Sequence, residues 1–64
     1  MDNNLKQIRN EKNITQQELS EKSGIARSII SELENGHSES ITTKTMVALA
    51  KALGVPVKDI FIFL

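Results

Sequence analysis

An all-α bundle of five short helices is the fold class this sequence predicts, and three observations point to it. Apolar residues recur at helical spacing in short blocks, and single glycines (Gly24, Gly36, Gly54) punctuate those blocks. Strand signals are scarce: aromatic content is 3%, and period-two alternation is confined to Ile60-Phe61-Ile62-Phe63-Leu64. With 64 residues and no internal repeat or linker, the chain reads as one domain over 1–64.

Leu5 and Ile8 mark a first helix near residues 2–12, with Lys6 and Arg9 among its polar positions. Thr15-Gln16-Gln17-Glu18 has the form of a capping box, in which the Thr15 hydroxyl accepts from the Glu18 amide and the Glu18 carboxylate reaches back. Ile14 before the cap and Leu19 after it make a hydrophobic staple, so a second helix is expected over 15–22. Gly24 ends that pattern, and a third helix is expected from Ala26 to about Glu34, stopped by Asn35-Gly36. Its inward face carries Ala26, Ile30 and Leu33, and its outward face Arg27, Ser28, Ser31, Glu32 and Asn35.

A polar loop, His37 to Ser40, leads to a fourth helix over about 42–53 with Met46, Val47, Leu49, Ala50 and Leu53 inward, closed by Gly54. Pro56 opens a short fifth helix as a first-turn proline. The run from Ile60 to Leu64 allows a strand, but the spacing of Val57, Ile60, Phe61 and Leu64 favours continuing the helix.

A chain this short buries only about 60% of its unfolded surface. With no cysteine and one histidine, it has neither disulfides nor a metal site of its own to reinforce it. Good caps or a partner subunit must compensate. No apolar run approaches the roughly 20 residues that span a bilayer, and Met1-Asp2-Asn3-Asn4 lacks a secretory profile, so a cytoplasmic protein is expected. Eight basic residues balance eight acidic ones, and net charge by itself points to neither nucleic acid nor membrane. Catalysis fails on inventory: one histidine, no cysteine and no glycine-rich phosphate loop.

Two helices joined by a short glycine-containing turn make a helix-turn-helix. The detailed string is more specific. Thr15-Gln16-Gln17-Glu18-Leu19, Lys22, Gly24-Ile25, Arg27-Ser28, Ile30-Ser31 and Leu33-Glu34-Asn35-Gly36 resemble the phage-repressor/Cro-type (Xre-like) helix-turn-helix family. Leu49-Ala50-Lys51-Ala52-Leu53-Gly54-Val55 extends the match, so that the likeness covers nearly the whole chain. The resemblance implies a compact lambda-repressor-like DNA-binding domain whose third helix enters the major groove of double-stranded DNA.

Arg27 is then the main candidate for base readout, since a guanidinium bonds guanine O6 and N7 together. Its alternatives are a phosphate contact or a pair with Glu32. Ser28 and Ser31 suit a base edge or a phosphate. Glu32 either accepts from cytosine N4, pairs with Arg27, or repels the wrong site. Gln16 is expected at a phosphate, assisted by Gln17, because it opens the second helix, where amides and dipole favour an anion. Asn35 and, at the start of the fourth helix, Thr43 and Lys44 are further phosphate candidates. The family pattern also implies that Arg9 and Glu34 form a partly buried ion pair that orients the third helix.

Some residues depart from that pattern. Ala26 stands where the family usually has a Ser or Thr cap. Ile29 occupies a position often small and polar, there either to pack on the second helix or to offer a methyl to thymine. The loop from His37 to Ile41 is one residue longer than usual, lacks the customary proline and carries Glu39. Residues 1–36 hold five basic and six acidic groups, so one copy should bind DNA weakly and two copies on a palindrome more firmly. Ile60, Phe61, Ile62, Phe63 and Leu64 place apolar groups on more than one helical face and are the expected dimer interface.

The resulting expectation is a sequence-specific transcriptional regulator, a repressor acting as a homodimer, without cofactor, metal or small-molecule substrate. Phage or mobile-element repressors, restriction-modification controllers and antitoxins resemble this architecture equally. The alternative is a protein-interaction module such as an antitoxin or adaptor, which gains from the neutral charge and from Glu32.

Overall fold

Threonine side chains cap the second and fourth helices in the computed structural model, which describes residues 3–36 and 41–61. The elements are α1 (Leu5–Glu11), α2 (Gln16–Ser23), α3 (Arg27–Glu34), α4 (Thr43–Leu53) and α5 (Val57–Ile60). The five predicted helices are all present, in the predicted order.

The first of them starts three residues later than its apolar spacing suggested, because Asn3 and Asn4 are occupied elsewhere. The Leu5 amide donates to Asn3 Oδ1 at 3.0 Å, and Asn3 Nδ2 donates to the Leu33 carbonyl at 2.9 Å. The Asn4 backbone amide donates to the Ile60 carbonyl at 2.7 Å, and its side-chain Nδ2 to the Asp59 backbone carbonyl at 3.2 Å. Two consecutive asparagines therefore join the start of α1 to the ends of α3 and α5. At the other end of α1, Asn13 takes φ +55°, a left-handed conformation that asparagine tolerates better than most residues.

The capping box of α2 is formed: Glu18 N donates to Thr15 Oγ1 and Thr15 N to Glu18 Oε1, both at 3.0 Å. Gly24 ends the helix at φ +76°. Ser20 Oγ then donates to the Ile25 carbonyl at 2.7 Å, and the Ile25 amide to Ser23 Oγ at 3.1 Å, which stitches the turn into α3. Ala26 is the α3 cap and supplies no side-chain acceptor; it is exposed, not part of the inward face as expected. Thr42 caps α4 by accepting from the Thr45 amide at 3.2 Å.

The core is built from every helix: Leu5, Leu19, Ile30, Leu33, Met46, Leu49, Ala50, Leu53, Ile60 and Phe61. Three expectations need correction here. Val47 is only half-buried and lies on the outer side of α4. Pro56 precedes α5 as its cap, at ψ 150°, instead of forming its first turn. The helix stops after one turn, and Phe61 is extended at φ −108°, bridged to Asn3. Continuing the helix would have turned Phe61 along it. The extended step buries Phe61 to 1% exposure and leaves the Ile60 carbonyl free for Asn4. Ile60 and Phe61 are thus core residues and are not available to a dimer interface. Ile62, Phe63 and Leu64, like His37 and Glu39 of the polar loop, lie outside the described residues.

Candidate nucleic-acid interface

The hydrophobic pattern of α3 determines which side chains it presents. Ile30 and Leu33 are fully buried against the core, which turns Arg27, Ser28, Glu32 and Asn35 to solvent and leaves Ser31 half-buried. Ile29 is 41% exposed, so it is not absorbed by packing against α2. The result is a convex polar face, with one cation, one carboxylate, two hydroxyls and an amide, that carries an apolar group on its flank.

A chain of hydrogen bonds holds that face in place. Arg9 donates from Nε to Glu34 Oε2 at 2.7 Å and from Nη2 to Oε1 at 3.0 Å, a bidentate pair whose side chains are 10% and 2% exposed. The third nitrogen of the fork, Nη1, donates to the Ile14 carbonyl at 2.8 Å and so reaches the entry to α2. Gln16 Nε2 donates to the same Glu34 Oε1 at 3.1 Å. Gln16 Oε1 in turn accepts from Arg27 Nε at 3.5 Å, at the long limit of a hydrogen bond. One network therefore links α1, the first residue of α2, and both ends of α3.

The electrostatics follow from this geometry. Burial pushes the Glu34 carboxyl pKa up, but hydrogen bonds from Arg9 and Gln16, with the Arg9 charge, outweigh it and hold the group below its ordinary value. The hydrogen bond to Glu34 raises the Arg9 pKa, opposed by burial. Both partners stay charged over any physiological range. Arg9 and Glu34 thus form the expected pair between the first and third helices.

Gln16 differs from its expected role in one respect. It is half-buried and committed to Glu34 and Arg27, although its amide carries a second N–H. Gln17 is exposed beside it, donating to Glu21 Oε1 at 3.3 Å. Arg27 leans on Gln16; among the described residues no carboxylate lies within 4.0 Å of it, so the alternative pair with Glu32 is not formed. Thr43 and Lys44 are exposed in the first turn of α4. Sequence reasoning missed the linking role of Gln16 and the tethering by Asn3 and Asn4. The consecutive asparagines ahead of an apolar-periodic segment were the available signal for the second.

Comparison with known proteins bears on this arrangement. The pattern of the helix-turn-helix family matches residues 5–60, from the start of α1 to the end of α5. The chain belongs to that family, in its Cro/C1-type form. It is also similar to an HTH-type transcriptional regulator of Methanocaldococcus jannaschii, with 38% identity over 63 residues, 98% of this chain and 94% of the relative. Within the helix-turn-helix, α2 and α3 are the two helices and Gly24 supplies the left-handed residue of the turn. Among the described residues no helix is long and apolar enough to cross a membrane.

Proposed function

We propose that the chain is a sequence-specific DNA-binding transcription regulator, a repressor that occupies a palindromic operator as a homodimer with α3 in the major groove. The observation that carries the reading is the polar face of α3, clamped at both ends to α1 and α2 by the Arg9–Glu34–Gln16–Arg27 network. A helix that must read base edges has to be held rigidly, and a bidentate buried pair does this better than surface contacts. Membership of the helix-turn-helix family and the similarity to a transcriptional regulator support the same conclusion.

Roles follow from position. Arg27 reads guanine; Ser28, Ser31 and Glu32 line the same groove; Ile29, exposed on the flank, meets thymine methyls. The second N–H of Gln16 and the side chains of Gln17, Asn35, Thr43 and Lys44 take phosphate oxygens. Few cations are involved, so affinity has a shallow salt dependence, and two copies are needed for tight binding. With Ile60 and Phe61 committed to the core, the dimer contact proposed from sequence reduces to Ile62, Phe63 and Leu64. Selecting bound sites from random duplex DNA, then titrating the winner at two salt concentrations, tests the reading. A palindromic consensus supports it; enrichment of nothing refutes it.

A further inference from the structure

The outer face of α4 carries a second feature that the polar face of α3 does not use. Lys44, Val47, Ala48, Lys51 and Ala52 recur at i, i+3, i+4, i+7 and i+8, and so form one stripe along the helix. Together with Lys22, near the end of α2, they line a surface groove of about 420 Å³. Val47, Ala48 and Ala52 are half-buried on its floor, and the three lysines are exposed on its rim. Among the described residues no carboxylate lines it. Among the described residues none of the three amines has a carboxylate within 4.0 Å, although Glu18, one turn before Lys22, feels its charge.

This concentration is unusual in a chain of zero net charge: three of its eight basic residues converge on one concavity. The rim calls for an anion, and the floor calls for apolar side chains. A phosphate backbone would match only the first. A second copy of this chain packed through the same face about a two-fold axis would bring six lysines together, which like-charge repulsion disfavours. Lys44 and Lys51 are seven residues apart, about 10.5 Å along the helix, close to the 10–12 Å width of a helix with its side chains.

We propose that this groove docks an acidic amphipathic helix of a partner protein, whose apolar side chains lie on Val47, Ala48 and Ala52 while flanking carboxylates pair with Lys22, Lys44 and Lys51. Apolar contact anchors the segment, and the rim charges select it and steer its approach. The regulator then has two working faces, α3 toward DNA and α4 toward protein. The groove meets the proposed phosphate contacts at Lys44 alone, so the two readings are separable at Lys22, Val47 and Lys51.

The test is a heteronuclear NMR titration of the full chain with a synthetic helix of about four turns bearing leucines on one face and glutamates beside them. The same helix with lysines for glutamates is the control. Shifts concentrated at Lys22, Ser23, Lys44, Val47, Ala48, Lys51 and Ala52, absent with the lysine helix, are expected. Lys22→Glu/Lys51→Glu should weaken binding at least about tenfold, and Val47→Glu should abolish it. Both variants should keep wild-type helical circular dichroism and affinity for the selected operator. Equal binding of the two helices, shifts elsewhere only, or no shifts would overturn the proposal. So would shifts at Lys22, Val47, Lys51 and Ala52 produced by duplex DNA, or the full set produced by raising the concentration of the chain alone. Loss of operator selection with the groove intact would instead remove the DNA reading.

Discussion

Glu34 joins α1, α2 and α3 through one carboxylate. It takes two hydrogen bonds from Arg9 and one from Gln16, and it is almost wholly enclosed. Glu34→Gln leaves the Arg9 guanidinium enclosed without a counter-charge, and a loss of about 3–5 kcal/mol is expected, read from urea unfolding followed by circular dichroism. The pH dependence has a definite sign. The carboxyl pKa is depressed in the folded state, so its contribution is complete above the unfolded value of about 4.3 and is lost as pH falls through the folded value. Acid unfolding of the wild type should therefore show a component between those two values that Glu34→Gln lacks. Gln16→Ala removes one donor to Glu34 and the acceptor for Arg27. Affinity should fall for the consensus and for every variant, and discrimination at the base Arg27 reads should also relax, in a comparison of consensus and single-base variants. Its place between Glu34 and Arg27 is a tertiary fact, set by how α1 and α3 cross. A glutamine in a helix-opening position reveals only that it faces a helix N-terminus.

At the scale of elements, most of what was legible in the sequence was local chemistry. The capping box at Thr15 and Glu18 and the glycine stops at Gly24 and Gly54 are written in adjacent residues, and each forms as read. Misreadings arose where a distant segment competes for the backbone. The first helix begins late because Asn4 donates to Ile60, fifty-six residues away in sequence, and the last helix stops early for the same reason. Val47 has the spacing of a core residue, but α4 offers its buried stripe through Met46, Leu49, Ala50 and Leu53, which leaves Val47 in the groove. Of the candidate site, the outward face of α3 was legible because Ile30 and Leu33 fix its rotation. Ala26 marks a weak point of the same helix: its backbone is that of a cap, yet no side chain accepts there. Ala26→Ser should raise stability by about 0.5–1 kcal/mol, measured as a shift of the urea midpoint without a change of slope. Thr15→Ala should lower it by about 1 kcal/mol in the same experiment.

For the molecule as a whole, stability is the controlling quantity. About 0.05–0.15 kcal/mol per residue implies a total near 3–10 kcal/mol for a chain of this length. The core has one fully buried leucine at the centre of α4, Leu49, and Leu49→Ala should cost about 2–5 kcal/mol, enough to leave a large unfolded fraction at 37 °C by circular dichroism. Operator DNA should restore part of that loss, because it binds only the folded state. The zero net charge, weak evidence against DNA binding when taken as an average, hides an uneven distribution. Lys44 and Lys51 of α4 gather with Lys22 at the end of α2, while α3 balances Arg27 against Glu32, so recognition at α3 rests on hydrogen-bond geometry more than on bulk attraction. That balance ties the whole reading to a single side chain. The most direct measurement is anisotropy titration of wild type and Arg27→Ala against the selected operator and its single-base variants at fixed salt. Loss of about 1–3 kcal/mol at one guanine pair, with every other position discriminated as before, is the expected result. A uniform loss at all positions, or none at all, would mean that α3 does not read bases through Arg27.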